Sequence, residues 1–280
     1  MLSYRHSYHA GNHADVLKHI VLVQLLAYLA RKDTPFWYID THAGAGRYRL
    51  DKDATQNRAE FHDGIERLWQ AANVPDEIGR YLEIVRGLNH SEQLQFYPGS
   101  PQFAKELARA GDRLWLYELH PADHETLRAG FSEAKAVRVA KQDGFTSLKS
   151  LLPPEPRRAL IMIDPSYETQ DDYRRVVTTL ADARERFATG VYAIWYPLLK
   201  RTEAQALPEK LLAAGGDRWL DVRMTVRAGR DQHAGLYGSG MFIANPPHTL
   251  PTVMNAVMPS LTGLLAQDKT ASFEVNFNIP

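Results

Sequence analysis

Short runs of apolar, β-branched and aromatic residues recur along the chain, separated by stretches in which apolar residues fall at helical spacing. Seven runs, at 36–40, 114–118, 136–140, 159–164, 191–196, 220–226 and 240–245, read as β-strands. Several are apolar at nearly every position, the pattern of strands buried on both faces in a parallel sheet flanked by helices. Segments 14–31, 101–110, 122–133, 171–187 and 202–214 read as helices, and Ser100-Pro101 offers an N-cap followed by proline at the first helical position. Alternating strand and helix predicts a doubly wound α/β fold.

One interval breaks the rhythm. The first strand ends at Asp40 and the next begins near Leu114, although a βαβ unit needs only ~30 residues. Residues 47–95 hold helical patterns, with Ile65, Leu68 and Trp69 followed by Ile78, Leu82 and Val85. We read 47–95 as an inserted helical subdomain within a domain made of 1–46 and 96–280, of which 1–13 is an N-terminal arm.

Composition then removes whole classes of chemistry. The 280 residues include no cysteine, which excludes disulfides, thiolate metal sites and a cysteine nucleophile. Lys+Arg and Asp+Glu are both 33, so nothing here binds by bulk positive charge. The most apolar stretch, 19–30, is well short of the roughly 20 residues that span a bilayer. The opening residues lack the apolar centre of a secretory signal. A cytoplasmic protein without membrane contact is expected.

The first strand runs into a glycine turn, Asp40-Thr41-His42-Ala43-Gly44-Ala45-Gly46. Glycines there let the backbone approach a ligand without a Cβ in the way. A dinucleotide site would want a third small residue where Arg49 stands, so a ligand lacking pyrophosphate fits better. Glu118 ends the second strand, where two carboxylate oxygens suit the two hydroxyls of a ribose. Asp143-Gly144 follows the third, where a carboxylate accepts from an adenine amino group. Each acid alone reads more readily as a solvated strand end. In this chain order they point together to S-adenosylmethionine.

Ile161-Met162-Ile163-Asp164-Pro165-Ser166-Tyr167 ends the fourth strand, at the sheet edge where open α/β folds bind ligands. An exocyclic aromatic amine is a poor nucleophile because its lone pair is delocalised into the ring. The Asp164 carboxylate and the Pro165 carbonyl can accept its two N–H groups, and Tyr167 offers a face for an extruded base. Asn245-Pro246-Pro247-His248 imitates this pattern but comes three strands later, and we read it as a turn at the sheet rim.

These motifs resemble class I S-adenosylmethionine-dependent amino-methyltransferases with an Asp-Pro-Pro-Tyr signature. Ser166 departs from it, standing where that signature has its second proline. The opening run from Tyr4 through His6, Gly11 and Lys18 to His19 resembles one family in particular, the bacterial 23S ribosomal RNA adenine N6-methyltransferases (RlmJ). That resemblance covers essentially the whole chain. It implies a Rossmann-like sheet of seven strands, S-adenosylmethionine as cofactor, no metal, 23S ribosomal RNA as partner and a monomeric enzyme. It further implies that Tyr4 and His6 border the target base alongside Asp164, Pro165 and Tyr167. Lys18, Asp40, His42, Gly44, Gly46, Ser100, Glu118, Asp143, Gly144 and Asp164 would line the cofactor site. From the residues alone, His42 serves equally as a turn residue. The histidines at 6, 9, 13 and 19 have no recognised ligand spacing.

A DNA adenine methyltransferase shares this chemistry but normally adds a recognition domain, for which little length remains. A catalytically silent RNA-binding protein would not need the acid at 164. A small-molecule N-methyltransferase is disfavoured by the same motif. Charge is distributed unevenly: residues 1–49 carry six basic and three acidic side chains, 198–240 seven and five, and 50–90 five and eight. A weakly basic local rim facing RNA phosphates is therefore expected.

Overall fold

The computed structural model describes residues 6–50, 60–89, 91, 93–229 and 235–279. A 3-10 turn at His6–Tyr8 leads into helix α1 (His13–Leu29), capped by Asn12, whose side chain accepts from the amides of Ala14 and Asp15. Lys18 shares one helical face with Leu22, Leu25 and Leu29, but α1 is buried on almost every face. Val16, Leu17, Ile20, Val21 and Val23 pack as fully as the leucines, as in a helix enclosed by other elements.

Strands β1 (Trp37–Asp40) and β2 (Arg47–Arg49) follow, then α2 (Ile65–Trp69), α3 (Asp76–Leu88) and β3 (Phe96–Pro98). β2 and β3 pair antiparallel as a separate two-stranded sheet, closing the base of the helical segment between them. Ile65, Leu68, Ile78, Tyr81, Leu82 and Val85 of that segment share one apolar cluster with the α1 leucines.

The remaining order is α4 (Ser100–Leu107), β4 (Arg113–Tyr117), α5 (Pro121–Gly130), β5 (Val137–Ala140), α6 (Gly144–Leu151), β6 (Ala159–Ile163), α7 (Gln170–Arg186) and β7 (Val191–Leu198). The chain closes with α8 (Thr202–Gly215), β8 (Trp219–Thr225), β9 (Gly238–Ala244), α9 (Leu250–Leu265) and β10 (Ser272–Asn278). The main sheet runs β10-β8-β9-β7-β6-β1-β4-β5. β5, β4, β1, β6 and β7 are parallel, and β9 is antiparallel to both β7 and β8. This is the mostly parallel α/β sheet expected, with one strand more than the seven predicted. The eighth, β10, pairs antiparallel with β8 at the sheet edge. Its sequence SFEVNFN alternates polar and apolar residues, so it has no continuous apolar run to mark it.

From β1 the chain steps outward through β4 and β5, then returns to place β6 on the other side of β1. That reversal opens a crevice at the carboxyl ends of β1 and β6. Asp40 and Asp164 stand at those two ends.

Candidate active site

A cavity of about 460 Å³ occupies this crevice. One side is the loop after β1. Gly44 and Gly46 have φ of +62° and +76°, and a Cβ on Gly44 would lie 2.1 Å from the Tyr48 hydroxyl. Side chains are excluded there on both counts. Glu118 follows β4 and lines the same space: one carboxylate oxygen accepts from the Gly44 amide at 2.8 Å and the other from His120 at 2.7 Å. Burial raises the Glu118 pKa, and these two amides oppose the shift. An ionised carboxylate has about four acceptor sites, so two amides leave capacity for a ligand's hydroxyls.

Asp143 and Gly144 open α6. Asp143 caps the helix at Thr146 and pairs with Arg175; burial opposes its ionisation, but the hydrogen bonds from Arg175 and the Thr146 amide, with the Arg175 charge, together hold the acid below its usual range. Gly144 lies against Thr41, where a Cβ would meet the Thr41 carbonyl at 2.1 Å. His42 packs edge-on against Phe145, and burial lowers its pKa to about 4. Its Nδ1 is 2.8 Å from the Thr41 hydroxyl.

Asp40 is placed differently from these neighbours. It is 0 % exposed and sits behind the loop, accepting from the Tyr38 hydroxyl at 2.7 Å, the Ser100 hydroxyl at 2.6 Å and the His42 amide at 3.2 Å. Ser100 and His42 line the cavity; Asp40 holds them.

The opposite wall carries Asp164, Pro165, Ser166 and Tyr167, all bordering the cavity. Tyr167 has φ of +53°, an uncommon conformation for an aromatic residue. Its hydroxyl donates to the Trp195 carbonyl at 2.7 Å, and its ring packs against Tyr173 and Trp195, leaving it 2 % exposed. Tyr167 borders the cavity but is nearly enclosed.

Lys18 reaches this wall from α1. Its ammonium lies 2.7 Å from Asp164 Oδ2 and 2.7 Å from Asp15 Oδ1. Burial disfavours that charge, yet the two carboxylates overcome it and raise the Lys18 pKa. The other Asp15 oxygen meets His6 Nε2 at 3.0 Å. Tyr4 lies outside the described residues.

Among the cavity residues that the sequence does not mark as site residues are Asp15, His19 and Trp195. Asp15 is one helical turn before Lys18, a spacing that signals an ion pair. His19 turns its Nδ1 to the Tyr97 hydroxyl at 2.8 Å, while its buried Nε2 has no hydrogen-bond partner among the described residues. Trp195 carries no signal beyond its place in an apolar strand. The Asn245-Pro246 imitation lies at the far edge of the sheet, because β9 runs opposite to β6 and β7. There Asn245 ties down the carbonyls of Ala188 and Gly190 at 2.6 and 2.8 Å.

Residues 33–279 match the family described as "Ribosomal RNA large subunit methyltransferase D, RlmJ". The chain is 46% identical over 281 aligned positions to a "Ribosomal RNA large subunit methyltransferase J" of Haemophilus influenzae, and 45% identical over 280 to one of Escherichia coli K12. Both alignments cover 100% of either chain. A crystal structure of a Legionella pneumophila protein superposes with a TM-score of 0.90 at 35% identity, covering 96% of this chain and 98% of that one.

Proposed function

The chain belongs to the RlmJ family of ribosomal RNA large subunit methyltransferases, and on that premise we propose that it methylates N6 of an adenine in 23S ribosomal RNA, using S-adenosylmethionine. The observation that carries the reading is the Asp164-Pro165 wall facing the glycine loop across one cavity. We propose that the enzyme is cytoplasmic and acts as a monomer, with 47–95 an insertion in its methyltransferase domain.

The residues present fit the cofactor. Glu118 retains acceptor capacity for ribose hydroxyls, and Asp143 stands where an adenine amino group would reach. The unpartnered Nε2 of His19, with Lys18 and Ser100, supplies polar contacts for an amino-acid moiety. When bound, S-adenosylmethionine supplies a methyl group on a sulfonium sulfur. Asp164 and the Pro165 carbonyl accept the two N–H groups of the target amine. This turns its lone pair out of conjugation and toward the transfer path. The rest is positioning, which is worth up to about 7–11 kcal/mol in oriented reactions. Tyr167 frames the wall from behind, and Tyr4 and His6 border the base.

The test uses radiolabelled S-adenosylmethionine with 23S RNA from a strain lacking the modification. Wild-type protein places label in N6-methyladenosine after nuclease digestion, and Asp164→Ala places none. Label in another nucleoside, or normal transfer by Asp164→Ala, overturns the proposal.

A further inference from the structure

Asp15 occupies a buried position between two parts of the molecule that the proposed chemistry needs. Its Oδ1 holds the Lys18 ammonium at 2.7 Å. Its Oδ2 accepts from the Gly11 amide at 2.9 Å and meets His6 Nε2 at 3.0 Å. One oxygen thus faces the catalytic wall and the other faces the N-terminal arm. The arm is pinned closely here: Gly11 has φ of +77°, and a Cβ on it would come within 2.8 Å of Ile65.

The ammonium of Lys18 has three N–H groups. One points to Asp15 and one to Asp164 Oδ2. Formal charges along Asp164, Lys18 and Asp15 are −1, +1 and −1, so the group keeps one net negative charge. Without Asp15, the ammonium has a single carboxylate to satisfy. It can then engage both oxygens of Asp164 and neutralise the acceptor that the target amine needs.

Resting on the proposed methyl transfer, we infer that Asp15 is a positioning residue: it draws the Lys18 ammonium aside so that one oxygen of Asp164 stays open to the amine. Asp15 acts through Lys18. The expectation is therefore a loss in the chemical step and not in cofactor binding.

Asp15→Asn keeps the size and removes the charge. Single-turnover methylation is expected to fall at least tenfold, with S-adenosylhomocysteine affinity within twofold of wild type by calorimetry. The decisive comparison is made in a Lys18→Gln background. There, adding Asp15→Asn should cost less than a further twofold, because the group through which Asp15 acts is gone. Removing both charges also avoids leaving a buried ammonium with only one of its two carboxylates, so the double variant remains usable where Asp15→Asn alone does not fold. An Asp15→Asn enzyme with wild-type turnover, or a further tenfold loss in the Lys18→Gln background, overturns the inference. Failure of the wild-type enzyme to methylate RNA overturns the functional reading instead.

Discussion

The Lys18 ammonium lies 2.7 Å from a carboxylate oxygen of Asp164, although 146 positions separate the two residues. The contact joins the first helix to the end of β6, across the crevice where the cofactor loop begins. Lys18 is 5 % exposed, so its charge depends on these partners and not on water.

Replacing Lys18 by Met should therefore destabilise the protein in a pH-dependent way. In the wild type, burial opposes ionisation of Asp15, but His6 and Lys18 hold its pKa well below the usual value. A depressed carboxylate contributes stability above its unfolded pKa of about 3.9 and loses it only as the pH falls further. Without the ammonium, burial is opposed chiefly by His6, so the Asp15 pKa rises relative to wild type. Lys18→Met should lose about 3–5 kcal/mol at pH 7, as when one partner of a buried pair is removed. Part of that loss, taken as the difference from wild type at each pH, should return between pH 7 and 5. Thermal midpoints of both proteins over this range decide it, and parallel curves would sink the argument.

Tyr167→Phe separates framing from contact. The hydroxyl donates to the Trp195 carbonyl, and the ring is enclosed by Tyr173 and Trp195. Loss of that hydrogen bond should cost about 1–2 kcal/mol of stability. Turnover should stay within threefold, because the hydroxyl is committed to the backbone. A drop of a hundredfold at unchanged stability would mean that the hydroxyl reaches the substrate.

Much of this site was legible in the sequence because it lies at strand ends, where an apolar run stops at a polar residue. Gly44, Glu118, Asp143 and Asp164 each follow such a run, and chain order alone separates Asp164 from Asn245. What could not be read was depth. Asp40 and Glu118 look alike as strand-end acids, yet one lies behind the loop and the other faces the cavity. Likewise Tyr167 looks like an open stacking face until β7 brings Trp195 beside it. The α9 helix carries internal Pro259 and the β10 strand lacks an apolar run, so neither shows the usual pattern of its class. Their identity comes from packing on the sheet.

Asp40 gives a pH signature of opposite sign. Burial raises its pKa to about 6, against the hydrogen bonds from Ser100 and Tyr38. The folded protein then binds that proton more tightly than the unfolded chain, whose value is about 3.9. This contribution is fully present below about pH 4 and is lost as the pH rises to about 6, a change on the order of 3 kcal/mol. Asp40→Asn removes the titration. Its stability relative to wild type should therefore rise with pH over this window and level off above it. Urea unfolding at pH 4.5, 5.5 and 7 measures the difference, and a constant offset would show that Asp40 does not titrate there.

Glu118 is the sharpest test of the cofactor site, because the same carboxylate both braces the loop and faces the cavity. Glu118→Ala should weaken S-adenosylhomocysteine binding by roughly 10–100-fold, the range expected for charge-assisted hydrogen bonds worth about 1.5–3 kcal/mol. A fall alone does not separate the two roles, since the freed amides of Gly44 and His120 would also loosen the loop. An analogue lacking both ribose hydroxyls separates them. Wild-type protein should prefer S-adenosylhomocysteine over this analogue by at least tenfold, because the acid's open acceptor sites would lie unused. Glu118→Ala should bind the two within threefold of each other, having no carboxylate left to tell them apart. If calorimetry shows the variant retaining the full preference, the hydroxyls are held elsewhere and Glu118 only braces the loop.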